Sequence, residues 1–166
     1  MKIYRSPVGT TEREFLMPHS YVNCLMHCVF STSQRQKLIS HDLQRRLWLF
    51  IGGIARENNM KALAIGGIED HVHLLLSLPA TTPIAKAIQV IKGGSSKWIH
   101  QQFPDHRHFA WQEGYGAFSV GISQIEATVH YIQTQKEHHL KKTFKEEFLS
   151  FLKKHGIAYD ERYILG

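Results

Sequence analysis

His71-Val72-His73-Leu74-Leu75-Leu76-Ser77-Leu78 is the run whose reading decides the fold. Alternate residues of a strand point to opposite faces. Val72, Leu74, Leu76 and Leu78 then make one wholly apolar face, which belongs against a core. His71 and His73 share the other face with Leu75 and Ser77. Two imidazoles side by side on a sheet form a ready bidentate site for a divalent metal. The chain holds 12 histidines, so about one His-x-His is expected by chance. A second does occur, His106-Arg107-His108, but it follows Pro104-Asp105 and reads as a loop. Placement on a central strand, behind Glu69-Asp70, is what distinguishes the first pair.

Outward from this strand the chain alternates between two periods. Residues 21–32 read as a buried strand, and residues 39–59 carry Leu43, Leu47, Phe50, Ile51 and Ile54 at helical spacing. A short apolar run over 60–65, closed by Gly66-Gly67, precedes the histidine strand. After Pro79, Ile84, Ile88, Ile91 and Trp98 mark a second helix starting near Pro83. Gly93-Gly94 inside it weakens the helix or marks a close contact. Residues 109–120, aromatic and glycine-rich, suit an edge strand. Ser123 and Glu126 have capping-box spacing and open a third helix; Thr143 and Glu146 open a last one, ending near Gly156.

The order β-α-β-β-α-β, followed by helices, predicts an α+β fold on the ferredoxin-like split βαβ plan. It has an antiparallel sheet with helices on one face and a short C-terminal helical extension. The corresponding division is an N-terminal arm over 1–20, a main domain over 21–140 and the extension over 141–166.

Composition sets the outer bounds. A chain of 166 residues with 43% hydrophobic and 20% charged residues is an ordinary globular domain, not a disordered or fibrous one. No apolar run approaches the roughly 18 residues that span a bilayer. The first residues lack the apolar core of a secretory signal, so a cytoplasmic location is expected. Lys and Arg number 20 against 14 Asp and Glu, a net charge of +6 that favours an anionic partner, nucleic acid first. Cys24 and Cys28 share one strand face and are too far apart along it for a sound disulfide, so they read as reduced packing residues.

The third helix adds the next chemistry. Ile122, Ile125, Val129 and Ile132 form its apolar stripe. Tyr131 and Gln135 lie one turn apart on one side, roughly 120° and 80° from the stripe centre, so neither is a natural core position. They offer a phenol and an amide oxygen, the latter a hard ligand for a divalent cation. The plain alternative is a half-exposed Tyr and a solvated Gln.

Taken together these pieces resemble the single-tyrosine HUH transposases, enzymes that move insertion sequences as single-stranded DNA. The resemblance rests on residues 70–79, on Lys92 to Lys97, on Trp111 to Tyr115, on Phe118 to Val120, and on Tyr131, Ile132 and Gln135 in that order. It covers residues 20–140. It implies that His71, His73 and Gln135 hold a divalent metal, Mg²⁺ or Mn²⁺. It also implies that Tyr131 is the nucleophile, leaving a 5′-phosphotyrosine and a free 3′-hydroxyl. DNA hairpins at element ends and a homodimer are the implied partners, with the tyrosine helix of one subunit able to serve the histidines of the other. Tyr115 is the rival phenol.

Arg35, Lys92, Lys97 and Arg107 are the candidate DNA contacts. The extension reads as packing on the domain or a dimer, ahead of a DNA contact through Lys141, Lys142, Lys145, Lys153 and Lys154. Two other readings compete: a domesticated relative that grips hairpin DNA without transposing it, and an unrelated ferredoxin-like metal hydrolase. Nucleotide hydrolysis is disfavoured, because Gly93-Gly94-Ser95-Ser96 lacks the phosphate-loop spacing.

Overall fold

The computed structural model describes residues 21–139 and 143–160. The expected arm over 1–20, Lys141, Lys142 and the last six residues lie outside the described residues. Four strands, β1 (Cys24–Ser31), β2 (Lys61–Ile68), β3 (His71–Leu78) and β4 (Gly116–Ser119), form one sheet in the order β2-β3-β1-β4. All neighbours are antiparallel, and β3 sits in the interior, as its apolar run requires. The helices are α1 (His41–Glu57), α2 (Ile84–Gln102), α3 (Ile125–Gln133), α4 (Gln135–His139) and α5 (Phe144–Lys154). Among the described residues no helix is long and apolar enough to cross a membrane.

The alternation in β3 is realised as two different faces. Val72, Leu74, Leu76 and Leu78 join Cys28 and Phe30 of β1 against Leu43, Leu47 and Ile51 of α1 and Ala87, Ile88 and Ile91 of α2. Each such large side chain, once buried, contributes roughly 1.5–3 kcal/mol. Both cysteines are free thiols on this side; burial pushes the Cys28 thiol up to about 12. Gly94 is a close contact: a Cβ there would lie 2.9 Å from Ile54 Cδ1, so the glycine lets α1 and α2 approach.

The opposite face is also covered. The two crossover helices keep to one side as expected, but α3 and α5 pack on the histidine side. Ile132 of α3 meets Ala64 and Leu75, while Phe144, Phe148 and Leu152 of α5 meet Val29 and Phe118. The sheet is therefore sandwiched, and His71 and His73 are fully buried between sheet and helices.

Three boundaries differ from the sequence expectation. The edge strand is short, because Phe109 turns into the core and Trp111 makes only an isolated bridge to Thr32. Ser123 is not the N-cap; it lies inside a 3-10 turn over Ile122–Gln124, where Gly121 N donates to Gln124 Oε1 at 3.1 Å. The third helix breaks at Thr134, whose hydroxyl donates back to the His130 carbonyl at 2.9 Å, a bond that bends helices. The Thr143 capping box forms as expected, with Glu146 N donating to Thr143 Oγ1 and Thr143 N to Glu146 Oε2.

Candidate metal centre and nucleophile

His71 opens β3 and is held from behind. Its Nδ1–H donates to Asp70 Oδ1 at 2.7 Å, and Asp70 Oδ2 accepts from the Arg35 guanidinium at 2.7 Å. Burial would raise the Asp70 carboxyl, but His71 and Arg35 together hold it down to about 2. An anionic partner on Nδ1 fixes the tautomer and leaves a lone pair at Nε2. That lone pair faces Gln135 Oε1 at 3.5 Å. The amide is oriented by its own nitrogen, which donates to the Tyr131 carbonyl at 3.1 Å. Two acceptors thus face each other with no proton between them, which is what a bound cation relieves.

His73 repeats the arrangement with a different support. Its Nδ1 is engaged by His27 Nε2 at 2.9 Å, from β1. Burial, reinforced by His73, pushes the His27 imidazole down to about 2, and burial lowers His73 well below the ordinary histidine range, with the neighbouring histidines adding to it. His73 Nε2 lies 3.5 Å from Glu147 Oε2, and neither atom has a hydrogen-bond partner among the described residues.

Glu147 comes from α5 and was not among the expected ligands. His139, on α4, was not either, and its Nε2 lies 3.4 Å from the same Glu147 oxygen. One ligand atom from each of His71, His73, His139 and Glu147 lies within 4.8 Å of all the others. Convergent, largely buried nitrogen and oxygen ligand atoms of this kind suit a divalent metal ion. Burial pushes the Glu147 carboxyl up to about 7 against the opposing pull of His71. A sequence signal for Glu147 did exist: it falls three residues after Phe144 and one before Phe148, on the apolar stripe of α5.

Tyr131 is half-buried, and its hydroxyl donates to Glu147 Oε1. Gln135 is buried at 1% exposure, against the solvated position its helical angle implied; the break at Thr134 redirects it. His71, His73, Gln135 and Tyr131 are thus brought together within one chain. Tyr115 is exposed and lines a separate groove.

The expected basic contacts divide. Arg35 is committed to Asp70 and lies over the Phe144 ring. Lys92 Nζ donates to the carbonyls of Gln112, Glu113 and Gly114, tying α2 to the loop before β4. Burial lowers its ammonium, and Glu113 partly opposes this. Lys97 and Arg107 are exposed. The extension packs on its own domain through Phe144, Phe148 and Leu152.

The fold has a counterpart among solved structures. A REP-associated tyrosine transposase, solved bound to a REP hairpin, has a similar fold, with a TM-score of 0.55 at 16% identity, covering 84% of this chain and 74% of that one. The family model described as "Transposase IS200 like" matches residues 20–135. The chain belongs to the IS200-like transposase family. The transposase of insertion sequence element IS200 from Salmonella typhimurium is 26% identical over 140 residues, covering 81% of this chain and 88% of that protein. The ISDra2 transposase TnpA of Deinococcus radiodurans is 24% identical over 85 residues, covering 51% of this chain and 61% of that protein.

Proposed function

We propose that this chain nicks and rejoins single-stranded DNA as a tyrosine transposase. Tyr131 is the nucleophile. His71, His73 and Gln135, joined by His139 and Glu147, hold a divalent metal, Mg²⁺ or Mn²⁺. The observation that carries the reading is the hydrogen bond from the Tyr131 hydroxyl to Glu147, which itself faces His73 and His139. A phenol held beside a cluster of metal-type ligand atoms within one chain supports this reading.

Tyr131 Oη attacks the scissile phosphorus, forming a 5′-phosphotyrosine and releasing a 3′-hydroxyl. The phosphoester bond energy is kept, so a later hydroxyl reverses the step. A free phenol has a pKa near ~10 and is mostly protonated at neutral pH. Glu147 Oε1 already holds the phenol's hydrogen bond and is the atom that receives its proton. A divalent cation bound there supplies Lewis acidity to the phosphate oxygen. Asp70 and His27 keep the two imidazoles oriented for it.

The substrate is single-stranded DNA bearing a hairpin, a class supported by family membership and by the hairpin in the similarly folded transposase. A homodimer follows from the family resemblance, although every group named here comes from one chain.

The test mixes the protein with labelled hairpin-bearing DNA from its own genomic flanks and Mg²⁺ or Mn²⁺, followed by a denaturing gel. A shifted covalent band is expected, lost in Tyr131→Phe and His71→Ala. A band that persists in Tyr131→Phe overturns the nucleophile and moves attention to Tyr115. Hairpin binding without any band favours the domesticated, non-transposing relative.

A further inference from the structure

We infer that the cleft between α3 and α5 seats a nucleotide flanking the scissile phosphate, and that Lys154 grips that nucleotide's phosphate. This deepens the nicking reading and rests on it. The cleft has a volume of about 320 Å³. Two helix rows line it. On the α3 side Gln124 and Thr128 stand seven and three residues before Tyr131; on α5 Ser150 and Lys154 stand three and seven residues after Glu147. Residues at these spacings share one helix side.

The rows meet at the hydrogen-bonded pair of Tyr131 and Glu147, so the cleft begins at the reacting hydroxyl. It runs outward for about two helical turns, roughly 10 Å. A strand whose phosphorus sits at Tyr131 has its next nucleotide in this space.

The chemistry of the wall fits a nucleotide. Lys154 is exposed at the outer end and makes no ion pair among the described residues. Apart from Glu147 the lining carries no carboxylate, so nothing there repels a phosphate. The half-buried Phe151 ring, stacked on Phe118 with centroids 5.1 Å apart, gives the cleft an aromatic wall, while Ser150, Thr128 and Gln124 offer hydrogen-bonding groups to a sugar or base edge. A cation beside an aromatic surface is how single strands are held without strict sequence readout. Holding the neighbouring phosphate fixes the scissile one for in-line attack by Tyr131.

The experiment compares wild type, Lys154→Gln and Lys154→Arg on hairpin DNA carrying the single-stranded flanks of the gene, with Mn²⁺. Lys154→Gln should form the covalent adduct about tenfold more slowly at physiological salt. The slope of log kcat/KM against log salt should be shallower by ~0.7, the value for one single-strand phosphate contact. Lys154→Arg should restore both, and the isolated hairpin without flanks should bind wild type and Lys154→Gln equally. A wild-type rate and salt slope in Lys154→Gln overturn the assignment, as does weakened binding of the isolated hairpin. If wild type forms no adduct, the nicking reading itself fails and takes this inference with it. That result is distinct from an adduct indifferent to Lys154.

Discussion

Asp70 does more at this site than its exposure suggests. It binds His71 with one oxygen and Arg35 with the other, so the imidazole is pinned through a charged chain three residues long. Carboxylate partners of metal-binding histidines raise ligand basicity and fix ring orientation. Asp70→Asn keeps the shape but removes the charge. Mn²⁺ affinity should fall by about 10–100-fold in calorimetric titration, with the circular dichroism of the sheet unchanged. An unaltered affinity would mean that Asp70 serves only to anchor Arg35.

Helix α3 reaches the sheet because one residue of β2 has no side chain. A Cβ on Gly66 would lie 2.1 Å from the Ile132 carbonyl oxygen. Backbone cannot yield as a flexible side chain does, so α3 must lift away. Gly66→Ala should cost about 1–3 kcal/mol in urea unfolding and reduce adduct formation, because Tyr131 and Gln135 move with α3 and the break that follows it. Gly93→Ala is the matched control: nothing lies within 4 Å of its would-be Cβ. It sits in the interior of α2 and should be neutral or stabilising by up to about 1 kcal/mol. Equal losses in the two variants would refute the close-approach argument.

For the whole molecule, the cluster draws on three separate elements. His71 and His73 come from β3, His139 from α4 and Glu147 from α5. A cation bound by all of them ties the extension to the sheet and is linked to folding. Mn²⁺ at about 100 times its dissociation constant should add about 2.7 kcal/mol and raise the thermal midpoint by roughly 5–10 °C. The shift should vanish with chelator and in His73→Ala. A shift that survives His73→Ala would place the ion elsewhere.

The sequence determined by itself whatever depends on short-range period. The strict alternation over His71 to Leu78 set a buried strand with both histidines on one face. The stripe of Leu43, Leu47 and Ile51 set α1, and Thr143 with Glu146 set the start of α5. Whatever depends on a partner distant in the chain needed tertiary structure. The place of Glu147 on the apolar stripe of α5 was legible, but its meeting with His73 needed the packing of Phe144 and Phe148 on Val29 and Phe118. Gln135 and His139 depend on the break at Thr134, which an ideal helical projection does not contain. Arg35 and Lys92 look like any solvated cation in sequence. Their commitment to Asp70 and to three loop carbonyls exists only once the chain has closed, because a charge finds its partner through space and not along the chain.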